Sequence, residues 1–258
     1  MNKKFYFLCP MPRSGQTYIN TILNKSNQLR VSANSILPNI FYGIETQKNT
    51  SIYQNFPYEK GFDNIYKNVL ESYYASVPQK HIIDNAPWGT PDNLKILQKF
   101  FKERKFIIYN RPVLECLASF IKIEKPDNIQ ARCDQLMEQN GRVHKSAWAI
   151  HHLKKTENYI EFQFDEVIND TQNVINKIFE YLNLEPENLS KEVDKFNFDG
   201  VEYNDDVLFG PLHKLAADPE PHNIEDFLPK SVIQKYKHYD EEITTTKMKN
   251  ENFEKFHR

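Results

Sequence analysis

The stretch Phe5-Tyr6-Phe7-Leu8-Cys9-Pro10-Met11-Pro12-Arg13-Ser14-Gly15-Gln16-Thr17-Tyr18 decides the fold. Its first five residues form an apolar run too short for a buried helix, which predicts a strand. From Thr17 to Asn24, Tyr18, Ile19, Ile22 and Leu23 share one helical face. Met11 to Tyr18 is then a sharp strand-to-helix turn, the geometry that gathers backbone N–H groups around a phosphate at a helix N-terminus. A plain turn remains the alternative on the local residues alone. The nucleotide pattern G-x-x-x-x-G-K-[ST] is absent, because the loop carries one Gly and has Arg13 in place of a Walker lysine. An anion fits this loop better than ATP does.

Working outward, three more β-rich runs occur: His81 to Asp84, Lys105 to Tyr109 and Tyr159 to Phe164. Each is followed by residues at helical spacing, and this alternation predicts an α/β fold with a central parallel sheet. Thr90 and Pro91 open a helix bearing Leu94, Leu97, Phe100 and Phe101, with Thr90 as N-cap. Val113, Cys116, Leu117, Phe120 and Ile121 make an apolar stripe over 112–123. One longer helical stretch is expected over 130–155, with Val143, Ala147, Ile150 and Leu153 inward, and another stripe runs from Val174 to Leu182. No repeat or linker interrupts the chain, so a single domain over 1–258 is expected, with an irregular loop at 196–225 and a polar tail at 244–258.

The 258 residues, 40% hydrophobic, support a sizeable core, and a formal charge of −2 gives no global attraction to nucleic acid or acidic membranes. Three cysteines, Cys9, Cys116 and Cys133, are an odd number with no metal-ligand spacing, which favours a reducing compartment. The Lys-Lys start followed by apolar residues lacks a small-residue cleavage site, and no run approaches the roughly 20 apolar residues of a membrane span. A cytoplasmic location is therefore expected.

In an open parallel sheet, ligands sit outside the carboxyl ends of the strands. The residues there are Arg13 to Thr17, Asp84 to Trp88, Asn110 to Arg111 and Phe164 to Glu166. Arg111 stands just before a helix and Ser119 about two turns inside it, a pair suited to a second phosphate. Read singly, Arg111 is also a helix-start ion-pair residue, Ser119 a helix residue bonded to its own backbone, and Phe164 a core residue.

PMPRSGQTY followed by RPVLECLAS resembles the two donor-binding segments of the sulfotransferase family, which uses 3′-phosphoadenosine 5′-phosphosulfate. The likeness runs in order from residue 5 to about residue 237, its late part being most similar to the protein-tyrosine and the viral or bacterial branches. It implies a three-layer α/β/α fold of the P-loop nucleoside-triphosphate-hydrolase type. By the same resemblance, Arg13, Ser14, Gly15, Gln16 and Thr17 hold the 5′ end of the donor, and Arg111 and Ser119 its 3′-phosphate. Phe164, with Asp165-Glu166-Val167, lies near the adenosine, and His213 and Lys214 belong to a late loop that closes over the donor. Arg13 stands where the family's basic residue meets charge growing on the leaving phosphate, and no metal is required. The residue after Arg111 is Pro112, where the family usually has Asp.

The proton acceptor departs from the family. Branches with a catalytic His place it after the second long strand, where this chain reads Asp84-Asn85-Ala86-Pro87-Trp88; the protein-tyrosine branch uses a Glu soon after the first helix, where this chain reads Val31-Ser32-Ala33-Asn34-Ser35. Asp84 is the nearest ionisable candidate, with a structural role as its alternative and His213 as a further candidate base. The expected activity is sulfuryl transfer to a hydroxyl or amine on a small molecule, glycan or peptide. A nucleotide-binding module without catalysis and a P-loop kinase with a degenerate loop are the alternatives.

Overall fold

The computed structural model describes residues 3–193, 195–203 and 223–244. Strand β1 (Lys4–Leu8) leads through α1 (Gln16–Leu23) to the short β2 (Leu29–Val31). Helices α2 (Leu37–Gln47), α3 (Ser51–Asn55) and α4 (Glu59–Tyr73) precede β3 (His81–Asn85) and α5 (Pro91–Phe100). Then come β4 (Phe106–Asn110), α6 (Val113–Glu124), α7 (Ile129–Met137), α8 (Arg142–Thr156), β5 (Tyr159–Gln163), α9 (Phe164–Asn169) and α10 (Thr171–Leu182). A small hairpin, β6 (Asn197–Phe198) and β7 (Val201–Glu202), a 3-10 turn at Ile224–Asp226 and a final helix α11 (Lys230–Thr244) complete the described elements.

The large sheet has the order β2-β3-β1-β4-β5, and all its pairs are parallel. Alternating side chains serve its two faces, as the two-residue period of a strand requires. Tyr6 and Leu8 of β1 pack with Ile19, Ile22, Ile175 and Phe179 of α1 and α10 on one face. Phe7 packs on the other with Ile108 and with Leu117, Ile150 and Val232 of α6, α8 and α11. Both faces are thus covered by helices, which is the expected three-layer α/β/α arrangement. Phe7 is fully buried, its ring 5.3 Å from Trp88 and 5.4 Å from Phe106, so aromatic packing from the segment after β3 and from β4 holds the strand behind the loop.

Two sequence expectations change. Strand β2 was not anticipated: with three residues and Arg30 in the middle it has no apolar run to announce it, and pairing to β3 alone makes it a strand. The single helix expected over 130–155 is two, because the chain turns at Glu138–Gly141. Gly141 sits so close to the end of α7 that a Cβ there would lie 2.4 Å from the Leu136 carbonyl oxygen. Thr90 does occupy the N-cap position of α5 with Pro91 behind it, but its side chain makes no cap bond.

The order places β1 centrally between β3 and β4, and the connection from β1 passes over β3 to reach β2. The chain reverses direction across the sheet at β1, so the crevice for a ligand lies beyond Leu8, Asn85 and Asn110.

Candidate functional site: an anion-binding crevice at the carboxyl edge of the sheet

Past the end of β1 the chain follows β4, with Cys9 N–H donating to the Ile107 carbonyl at 2.9 Å and Met11 N–H to the Tyr109 carbonyl at 2.8 Å. It then turns through two left-handed residues, Arg13 at φ 64° and Gly15 at φ 77°. Glycine suits position 15: a Cβ there would meet Val167 Cγ1 at 3.3 Å in a backbone region that side chains disfavour. Gly15 is the N-cap of α1, no side chain caps that helix, and its first turn holds no acidic residue. The positive end of α1 is therefore unneutralised by any capping side chain and suited to an anion.

The two predicted halves of the site meet across 98 residues of sequence. Arg111 Nη1 donates to the Arg13 carbonyl at 2.6 Å, and Arg13 Nε donates to Ser119 Oγ at 3.0 Å. Arg111 is 2% exposed; its Nε pairs with Glu115 Oε2 at 3.1 Å and its guanidinium lies over the Phe164 ring at 3.8 Å. Phe164, read from sequence as a donor residue, thus supports Arg111 from below. Cys116 Sγ, one turn along α6, holds the Pro12 carbonyl at 3.1 Å.

Positive charge is concentrated here. Burial and the neighbouring Arg111 push the Arg13 guanidinium down to about 10, so it remains cationic at neutral pH. Three buried side-chain atoms at the crevice find no hydrogen-bond partner: Ser14 Oγ, on a side chain with no exposure, Arg111 Nη2 and the acceptor Asn110 Oδ1. Native proteins rarely leave such groups unsatisfied, and each calls for an explanation such as strain, a catalytic role, a water or a bound ion. Two orphaned donors beside an uncapped helix start fit a polyanion.

On the β3 side, Asn85 links the strand to the loop, its Nδ2 donating to Gln16 Oε1 at 3.2 Å, and Ser32 Oγ accepts from Asn85 N–H at 2.8 Å. Asp84 is fully buried. Ser35 Oγ donates to its Oδ2 at 2.8 Å, Trp88 Nε1 to its Oδ1 at 2.8 Å, and the Tyr74 hydroxyl also donates to Oδ2. Burial pushes Asp84 up to about 6 although the three donors oppose it. Thr17 is half-buried, its carbonyl taking the Thr21 hydroxyl. His213 and Lys214 lie outside the described residues. His81 pairs with the Tyr6 hydroxyl at 2.9 Å within the sheet. Among the described residues, no group of three or more His, Cys, Asp or Glu side chains is assembled to hold a metal ion.

The sequence profile of the sulfotransferase family matches residues 6–188, a span that includes both candidate segments, Met11 to Tyr18 and Arg111 to Ser119. The chain belongs to the sulfotransferase family. No curated protein matches it. Among solved structures, the sulfotransferase domain of the Synechococcus PCC 7002 olefin synthase is similar in fold, with a TM-score of 0.60 at 16% identity over 96% of this chain and 97% of that one. A mouse sulfotransferase complexed with PAP has a TM-score of 0.55 at 10% identity, covering 99% of this chain and 88% of that one. A sulfotransferase from Alicyclobacillus acidocaldarius has a TM-score of 0.50 at 11% identity over 73% of this chain and 84% of that one.

Several residues of this candidate site were missed in the sequence. Glu115 stands four residues after Arg111, a helical ion-pair spacing that was available as a signal. Asp240 left none: it reaches from α11 to the start of α6, where its carboxylate takes the N–H groups of Val113 and, at 3.3 Å, Leu114. Pro112 at that N-cap offers no side-chain acceptor, and Asp240 supplies one from 126 residues away. Among the described residues, no helix is long and apolar enough to cross a membrane.

Proposed function

We propose that this protein transfers a sulfuryl group from 3′-phosphoadenosine 5′-phosphosulfate to a hydroxyl or amine acceptor. The observation that carries the reading is the pair of buried, partnerless donors, Ser14 Oγ and Arg111 Nη2, on two loops joined by the Arg111–Arg13 bond. A donor with phosphates at two ends needs two cationic cradles, and ordinary ATP chemistry needs a Walker lysine that this loop lacks. Family membership supports the same donor, as does the PAP complex of the mouse relative.

In this reading Ser14 to Thr17 and the start of α1 hold the 5′ end, and Arg111 with Ser119 holds the 3′-phosphate. Arg13 meets the negative charge that grows on the phosphate oxygen as the sulfur–oxygen bond breaks, so catalysis is mainly positioning and electrostatic stabilisation. Phe164 keeps the Arg111 fork in plane. Asp84, at the carboxyl end of β3, is the proton acceptor. His213 and Lys214 contribute from the late loop.

The test is calorimetric titration with 3′-phosphoadenosine 5′-phosphate (PAP) and with ADP. PAP is expected to bind far more tightly, and Arg111→Ala to abolish the preference; equal affinities in the wild-type protein would sink the assignment. A binding module without catalysis is favoured by the missing His and Glu of the family's base positions, and PAP binding without transfer to any acceptor would establish it.

A further inference from the structure

Asp84 poses a chemical problem for the reading above, on which this inference rests. Its side chain has no exposure, and its two oxygens already accept from Ser35, Tyr74 and Trp88. No acceptor molecule touches such a carboxylate. Ser35 differs from the other two partners in being half-buried rather than enclosed, since Tyr74 and Trp88 have 1% and 0% exposure. Its N–H donates to the Asn85 carbonyl at 2.9 Å, and Asn85 in turn reaches Gln16 at the start of α1. Ser35 therefore borders the crevice two hydrogen bonds away from the anion cradle.

We propose that Ser35 is the group that takes the acceptor's proton, passing its own hydroxyl proton to Asp84. The Ser35 hydroxyl is bonded for this task. Its oxygen donates to Asp84 Oδ2 at 2.8 Å and accepts the Leu37 N–H at 3.2 Å, leaving one lone pair for an incoming hydroxyl or amine. In the step, the acceptor's O–H or N–H bond breaks and its proton joins Ser35 Oγ. The original Ser35 proton moves to Asp84 Oδ2, the acceptor atom bonds to sulfur, and the sulfur–oxygen bond to the 5′-phosphate breaks with its electron pair remaining on the phosphate. Asp84 ends neutral and Ser35 ends unchanged.

Two features of the pocket suit Asp84 to this role. Burial raises it to about 6, which brings it nearer to the proton affinity a base needs at neutral pH than an ordinary carboxylate. The groups facing it are the phenols of Tyr74 and, more distantly, Tyr73 at the end of α4, the Ser35 hydroxyl before α2 and the Trp88 indole after β3. Tyr74 and Trp88 stay bonded to Asp84 while the proton arrives, so the carboxyl group keeps its orientation.

The test follows the radiolabelled sulfuryl group of labelled 3′-phosphoadenosine 5′-phosphosulfate over about pH 5 to 9, as free sulfate with water as acceptor and as the aryl sulfate with a simple phenol. Wild-type turnover is expected to rise through an inflection near 6. Ser35→Ala should lose roughly a hundredfold or more in turnover, the range of a lost general base, with PAP affinity unchanged. Ser35→Thr, which keeps the hydroxyl, should stay within a few-fold, and Asp84→Asn should remove the inflection. PAP binding by each variant reports that the fold is intact; should Asp84→Asn fail it, the Ser35 pair decides. Ser35→Ala turning over at the wild-type rate with the same inflection overturns the proposal, and so does a wild-type protein that binds PAP yet transfers the labelled group to neither acceptor. Failure of the donor reading is distinct, because it shows as equal PAP and ADP affinity before any variant is made.

Discussion

Arg111 Nη1 donates at 2.6 Å to the main-chain carbonyl of Arg13, so the residue after β4 fixes the curvature of the loop after β1. The same guanidinium also holds Glu115 and covers Phe164, leaving Nη2 unpartnered. Only a planar fork with several donors does all of this at once. Arg111→Lys should therefore behave nearly as badly as Arg111→Ala, losing on the order of tenfold to a hundredfold in PAP affinity by calorimetry, the value of a hydrogen bond to a charged group. Wild-type affinity in the Lys variant would show that charge alone suffices.

Ser14 separates stability from binding. Its hydroxyl is buried without a partner in the ligand-free protein, so Ser14→Ala should be neutral or stabilising by about 1 kcal/mol in urea denaturation. PAP affinity should nevertheless fall about tenfold or more. Loss of both would mean that the hydroxyl is already satisfied.

Gly15 is expected to tolerate no side chain. A left-handed φ of 77° and a Cβ contact of 3.3 Å to Val167 combine, and the backbone strain alone is worth about 1–2 kcal/mol. Gly15→Ala should lower the denaturation midpoint and abolish PAP binding, because relief of the strain moves the N–H groups of the α1 start. Thermal melting with and without PAP checks both effects.

The buried Asp84 predicts a pH signature of the opposite sense to that of a salt-bridged carboxylate. Its folded value lies above the unfolded one, raised from 3.8 to about 6. Its stabilising contribution is thus full below about pH 4 and is lost as pH rises through about 6. By linkage the loss is of order 2–3 kcal/mol. The stability of the wild-type protein minus that of Asp84→Asn should therefore fall between pH 4 and 7, and a rise in that signed difference would refute the raised value. Asp240, also raised to about 6 by burial, titrates in the same window in both proteins and cancels from the comparison.

The fold and part of the crevice were legible because they depend on short-range patterns. Apolar runs of five residues between helical stripes announce a parallel sheet, and once the sheet is parallel its carboxyl edge collects the residues that follow each strand. Arg13, Ser14 and Arg111 were found in this way, and the structure joins Arg111 to Arg13. The break between α7 and α8 was not legible, because both halves keep the same helical spacing and only the close approach of Gly141 to Leu136 shows where the chain turns.

What the sequence determined by itself was the alternation of strands and helices, the sharp strand-to-helix turn over Met11 to Tyr18 and the choice of arginine over a Walker lysine. These follow from residue type and local spacing. Tertiary structure alone decided that Ser35 and Asp84, 49 residues apart, share a proton bridge, and that Asp240 caps the helix behind Arg111. Such pairings depend on which strand lies beside which and how deeply a carboxylate is buried. Neither quantity is encoded in the spacing of any one segment.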